Sequence, residues 1–319
     1  MSKELKIAVQ SGCWLNDVYG GDENALAAFE AAKAAGIEAI DFNIDMRYPA
    51  KAICAKETSE FFSQDIETIL KAYEPVKVAM EKTGIEICQA HAPFPLYSRL
   101  SADFTEHLIM TVEKSIEICH YLSIPALVVH PWNNSFSDIN KDREIEHEVN
   151  LKMYRRLMPI AKKYGVKICL ENMFYYKASM STACIAGACA NASEAVWYID
   201  KLNEEAGEDI FGFCFDLGHA NLAKRNIREE IRTLGHRLTL LHLHDNDAMS
   251  DQHYAPMTQR KTDWDGLIMG LRDIGYRGPL NFEIFAAMQK FPKELVPAML
   301  KYTAGVGRYL RNKILEETN

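Results

Sequence analysis

KYGVKICLENM, residues 163–173, closes one element and opens another. Gly165 stands where a helix stops, because the position after a helix favours a left-handed backbone. A β-prone apolar run follows and ends on an acid, Glu171. The same plan recurs in AAGIEAIDFNI (34–44), KTGIEICQAHA (82–92) and IGYRGPLNFEI (274–284), with Gly36, Gly84 and Gly275 in the equivalent place. Four further strand-like runs fill the gaps: KIAVQ (6–10), ALVVHP (126–131), FGFCFD (211–216) and LTLLHLHD (238–245). Helical patterns separate them, over 24–35, 65–83, 102–122, 142–164, 193–205, 227–236 and 263–274, and a last one over 293–315 closes the chain.

Strands alternating with helices, with no linker between, predict parallel strands and crossover helices. Eight such units predict an α/β fold of the (β/α)8 TIM-barrel type, formed by residues 1–319 as a single domain. A doubly wound open sheet is the alternative. It would carry a glycine-rich phosphate turn after an early strand, and the chain has no G-x-G-x-x-G. The connections are unequal. Helix-to-strand turns are short (AAG, KTG, KYG, LGHR), whereas strand-to-helix segments are long: 45–64, 92–101, 131–142, 172–193 and 245–262. In α/β barrels the latter build the working face.

With 48% hydrophobic residues the chain reads as globular. A net charge of −8 disfavours nucleic acid as a partner. The opening MSKELKIAVQ is not a secretory signal and no apolar run spans a membrane, so no membrane partner and a cytoplasmic location are expected. The eight cysteines form no C-x-x-C pair; Cys88, Cys169 and Cys214 sit in strand-like runs as small buried hydrophobes. Cys184 and Cys189 fall in a loop of small residues. Self-association into a homo-oligomer stays open.

Ionisable residues crowd the ends of the predicted strands. His91, His130 and Glu171 end the third, fourth and fifth strands. Asp216 ends the sixth, with His219 just beyond. His242 and His244 lie on the seventh, followed by Asp245, Asp247, Asp251 and His253, and Glu283 lies on the eighth. Taken singly, each is as readily a hydrogen-bonded core residue. His107 and His147 read as solvated helix positions, and Asp245 and Asp247 as loop or helix caps. Glu171 and Glu283 are harder to dismiss, since each follows an apolar run in a strand buried on both faces. An unpartnered buried carboxylate is costly or takes up a proton. Two of them converging with Asp216 and His242 would repel one another unless a divalent cation sat among them. Mixed carboxylate and imidazole ligands suit a divalent metal such as zinc or manganese rather than calcium.

The motifs AHAPF (90–94), VVHPW (128–132), ICLENM (168–173), FDLGH (215–219), LHLHDND (241–247), DQH (251–253) and NFEIF (281–285) resemble those of the xylose isomerase-like TIM-barrel superfamily. That superfamily includes sugar epimerases, inosose dehydratases and endonuclease IV. In its epimerase branch, the resemblance implies one metal held by Glu171, Asp216, His242 and Glu283, with Glu171 and Glu283 also the acid/base pair and His219 on the substrate. In its endonuclease branch, the resemblance implies a zinc cluster that adds His91, His130, His219, Asp251 and His253. Three expectations follow. The first is a sugar or polyol isomerase/epimerase working by proton abstraction next to a carbonyl, with Trp14 and Trp132 either stacking on the sugar or packing the barrel mouth. The second is a zinc phosphodiesterase acting on abasic DNA, with Arg47, Tyr48, Tyr97, Arg99, Arg260 and Lys261 on the appropriate loops. The third is a dehydratase or lyase of a cyclic polyol using nearly the same site. Sugar chemistry is the preferred one.

Overall fold

The computed structural model describes residues 5–98, 101–133, 139–176, 184–259, 261–289 and 291–316. Its barrel strands are β1 (Ile7–Gln10), β2 (Ala39–Asn43), β3 (Glu86–His91), β4 (Ala126–Val128), β5 (Lys167–Glu171), β8 (Phe211–Asp216), β9 (Leu238–His242) and β10 (Leu280–Phe282). A small antiparallel hairpin, β6 (Phe174–Tyr176) with β7 (Cys184–Ala186), rises from the segment after β5. The barrel strands are hydrogen-bonded in the order β10-β1-β2-β3-β4-β5-β8-β9, all parallel. The ring closes through Leu243, which donates to the Asn281 carbonyl at 2.9 Å and accepts from Glu283 N at 3.0 Å. The fold is therefore a TIM barrel.

The recurring glycines do what their spacing implies. Gly36, Gly84, Gly165 and Gly275 all have φ between 63° and 91°, a backbone region costly to other residues. Helix starts are capped by short polar side chains: Ser101 accepts from Phe104 N, Asp65 from Thr68 N and Asp263 from Gly266 N. The helical pattern over 65–83 is two helices, Ile66–Ala72 and Glu74–Thr83. Pro75 suits the first turn of the second helix and cannot continue the first. Among the described residues no helix is long and apolar enough to cross a membrane.

Strand side chains divide by the period of two. Ile7, Val9, Ile40, Phe42, Leu127, Ile168, Leu170, Phe213 and Phe215 join the large outer core. The interior is separate and made of small residues: Ala8, Ala39 and Cys88 form one cluster, and Ala126, Val128, Cys169, Cys214 and Leu240 another. The three strand cysteines are thus barrel filling. Above them Gln10, Asp41, Gln89 and Asn281 are fully buried.

Candidate metal centre and active site

Two positions beyond the small interior residues, the same faces carry the functional groups. Cys169 leads to Glu171, Cys214 to Asp216, Leu240 to His242 and Asn281 to Glu283, and all four are buried. Nδ1 of His242 lies 3.3 Å from Glu171 Oε2, 3.6 Å from Glu283 Oε2 and 3.9 Å from Asp216 Oδ2. Neither His242 Nδ1 nor Asp216 Oδ2 has a hydrogen-bond partner. Buried polar atoms without partners cost about 1–3 kcal/mol each, and here they face one another. Ligand atoms held about 2.0–2.2 Å from a divalent ion stand roughly 3–4 Å apart. The donor set and its spacing therefore fit a metal.

Two further groups flank this centre. His91 Nε2 lies 2.9 Å from His130 Nε2, which is 3.1 Å from Glu171 Oε2. His91 Nδ1 is 2.9 Å from the Ala92 carbonyl. Donation there leaves Nε2 as a lone pair aimed at the site. On the other side, ligand atoms of His219, His244, Asp251 and His253 lie within 4.8 Å of one another. His219 is set by the turn after β8. Asp216 caps the short helix Leu217–Leu222 through its 2.6 Å bond from His219 N, and Asn172 clamps the Asp216 backbone with two 2.8 Å bonds. His219 Nδ1 then meets the Asn172 carbonyl at 2.9 Å, and Nε2 faces Asp251 at 3.5 Å. His253 Nε2 is 3.0 Å from Asp251, and its ring stacks on His244 with centroids 4.0 Å apart.

Burial opposes charge throughout this cluster. At Glu171 the neighbouring His130 and His242 outweigh burial and hold the carboxyl well below its ordinary value. At Glu283 burial prevails over His242 and His253 and pushes the carboxyl up to about 7. His253 rises to about 9 because Asp251 outweighs its burial. Asp216 is lowered, with His219 and His244 overcoming desolvation. The two glutamates are thereby driven in opposite directions.

A cavity of about 290 Å³ opens above the cluster. Besides Glu171, Glu283 and four of the histidines, it is lined by Asn43, Asp45, Phe94, Met173, Phe174, Asp251 and Phe285, and among the described residues by no lysine or arginine. Neither tryptophan lines it. Trp14 is fully buried with its indole N–H donating to the Gln10 carbonyl, and Trp132 packs edge-on to Tyr97. The aromatic walls are instead Phe94, Phe174 and Phe285. Other positions also depart from expectation. His107 is not simply solvated, because Nε2 accepts from Ser59 N at 3.0 Å; His147 Nε2 lies 2.7 Å from Glu194. His244 meets Asp216 Oδ1 at 3.1 Å. Asp245 and Asp247 do keep their expected role as caps of this loop: Asp245 is buried and accepts from Thr262 and Gln259 N, and Asp247 accepts from Met249 N and Ser250 N. Of the loop residues suited to DNA, Arg47 is paired with Asp22 at 2.7 Å, Tyr48 is buried with its hydroxyl on the Glu57 carbonyl, and Tyr97 packs on Trp132. Lys261 is exposed; Arg99 and Arg260 lie outside the described residues.

A family model described as xylose isomerase-like TIM barrel matches residues 29–303. An uncharacterized protein of Methanocaldococcus jannaschii is 27% identical over 203 residues, which cover 60% of this chain and 62% of that protein. D-psicose 3-epimerase of Enterocloster bolteae is 25% identical over 154 residues, 48% of this chain and 45% of the enzyme. The chain thus spans less than two thirds of either relative. Among solved structures, the IolI protein with a bound zinc atom superposes with a TM-score of 0.67 at 16% identity, covering 98% of this chain and all of that one.

Proposed function

The chain belongs to the xylose isomerase-like TIM-barrel family, and on that premise we propose that it is a metal-dependent sugar or polyol isomerase/epimerase. The observation that carries the proposal is the convergence of Glu171, Glu283 and Asp216 on one unpartnered imidazole nitrogen of His242, beneath an open cavity. Glu171, Asp216, His242 and Glu283 would hold one divalent ion, zinc or manganese. When bound, such an ion polarises a substrate carbonyl and steadies the charge that grows on its oxygens.

The remaining work falls to the chain. Glu171 and Glu283 stand on β5 and just after β10 and are tuned in opposite senses, the pattern of an acid/base pair in which one takes a proton beside the carbonyl and the other returns it. His219, fixed by Asn172, presents Nε2 toward the cavity for a substrate oxygen. Phe94, Phe174 and Phe285 give the apolar walls on which a sugar ring packs and help to exclude water. Among the described residues the lining holds no lysine or arginine, which favours an uncharged sugar over a phosphorylated one. A dehydratase or lyase of a cyclic polyol would draw on the same groups. The likeness to D-psicose 3-epimerase supports epimerisation.

A second reading has its own observation. The flanking groups, His91 with His130 and His219 with Asp251 and His253, offer ligands for more than one ion. That is the donor set of an endonuclease IV-like zinc phosphodiesterase. Against it, Arg47, Tyr48 and Tyr97 are spent on internal contacts. Incubation with a panel of ketoses, sugar acids and inosose-like compounds carrying tritium next to the carbonyl separates the readings. Tritium release to solvent, with an abasic oligonucleotide left uncut, is expected. Nicking of the oligonucleotide with no tritium release would overturn the sugar reading.

A further inference from the structure

His242 has two ring nitrogens, and only one faces the carboxylates. Nε2 points the other way, toward the interior of the barrel, where Asp41 Oδ2 lies 3.5 Å off. Asp41 is fully buried on β2 and comes from none of the strand ends that supply the other functional groups. Its Oδ2 also accepts from Asn281 Nδ2 at 2.7 Å and Gln89 Nε2 at 3.1 Å, while Oδ1 has no hydrogen-bond partner. Among the described residues no lysine or arginine pairs with it; the imidazole that faces it is that of His242. Two amides alone do not call for a carboxylate. A neutral asparagine would accept their hydrogen bonds without burying a charge.

We propose that Asp41 is a positioning residue that holds the proton of His242 on Nε2, so that the Nδ1 lone pair is free to face Glu171, Asp216 and Glu283. This rests on the reading of His242 as a metal ligand. The hydrogen-bonding partner of one imidazole nitrogen decides which tautomer the other presents. Here the contact is 3.5 Å and so mainly electrostatic, yet the choice is one-sided. With the proton on Nδ1, the Nε2 lone pair would point at a carboxylate oxygen in a dry interior, and no site would remain for an ion at Nδ1. Asn281 and Gln89 hold the Asp41 oxygen in place from either side, so the arrangement is braced by β10, β2 and β3 together.

The test compares the parent with Asp41→Asn, which keeps the shape and can turn an N–H toward Nε2. The ring nitrogens of His242 are read by 15N NMR in the stripped proteins at alkaline pH, where the imidazole is neutral, and zinc is then titrated in. The metal-free parent should show its proton on Nε2. Asp41→Asn should fold, as judged by circular dichroism, and bind zinc about 10- to 100-fold more weakly, with the Nε2 proton signature lost. Equal affinity with an unchanged tautomer would overturn the proposal. If Asp41→Asn does not fold, the parent spectrum decides alone, and a proton on Nδ1 refutes it. If the parent takes up no zinc, the metal reading fails instead, and the metal-free tautomer still decides the role of Asp41.

Discussion

Glu283 shows at a single position how burial and neighbours combine. Its carboxyl is pushed up to about 7 by burial, with His242 and His253 opposing, while Glu171 is driven down by His130 and His242 against its own burial. Glu283→Gln keeps volume and hydrogen-bonding capacity but cannot carry the proton. Turnover on the cognate substrate should fall about 10²- to 10⁴-fold with an unchanged circular dichroism spectrum; near-parental turnover would refute the acid/base role. Gly218 makes a different point. A Cβ built there would sit 1.9 Å from His244 Cε1, so Gly218→Ala must displace the imidazole that meets Asp216. A loss of about 1–3 kcal/mol is expected for such overpacking, measured by urea unfolding, and a variant as stable as the parent would contradict the close approach. Residues such as Glu171 and Glu283 could be picked out from the sequence because an acid ending an apolar run is conspicuous. Asp41 and Asp45 could not. Asp41 lies mid-strand, and its partners Gln89 and Asn281 are 48 and 240 positions away. Trp14 looked available for stacking because it follows a strand, but the outer core claims it.

At the scale of elements, the glycine-terminated helices and apolar strands were readable because each obeys a local rule: a left-handed C′ residue, a period of two, a polar cap. Short pieces without an apolar run or a terminating glycine obey none strongly enough. The β6–β7 hairpin and the short helices Glu60–Ser63 and Phe285–Met288 therefore went unforeseen inside long connections. The segment before Ile66 illustrates how such pieces are tied down. Ser59 N donates to His107 Nε2, whose ring packs edge-on to Tyr48. That bond needs the neutral imidazole. Burial, with Lys114 nearby, lowers the His107 pKa below its ordinary 6.5. The unfolded chain therefore binds the proton more readily, so this contribution is full above pH 6.5 and is lost as the pH falls through the folded pKa. An NMR titration should place the His107 midpoint below 6.5; a midpoint above that value would show that the bond does not form in the neutral state.

For the whole molecule, one consequence of the parallel ring is that the C-terminal ends of all its strands lie on the same face. Residues from β3, β5, β8 and β9, and from just past β4 and β10, meet although they span positions 91 to 283. Strand counting from the sequence could foresee that meeting. It could not foresee which ring nitrogens turn inward or which aromatics wall the cavity, because those depend on side-chain packing across the mouth. A cation that binds the folded state alone would explain an assembly of carboxylates and imidazoles buried this deeply, and would stabilise that state. The most direct measurement is metal analysis of the purified protein, with thermal unfolding before and after chelation and after adding zinc or manganese. At least one divalent ion per chain should be found, with a melting temperature that falls on stripping and recovers on reloading, and a His242→Ala variant that shows neither response. A parent protein that binds no divalent ion at millimolar concentration, with melting indifferent to chelator and metal alike, would contradict the metal centre.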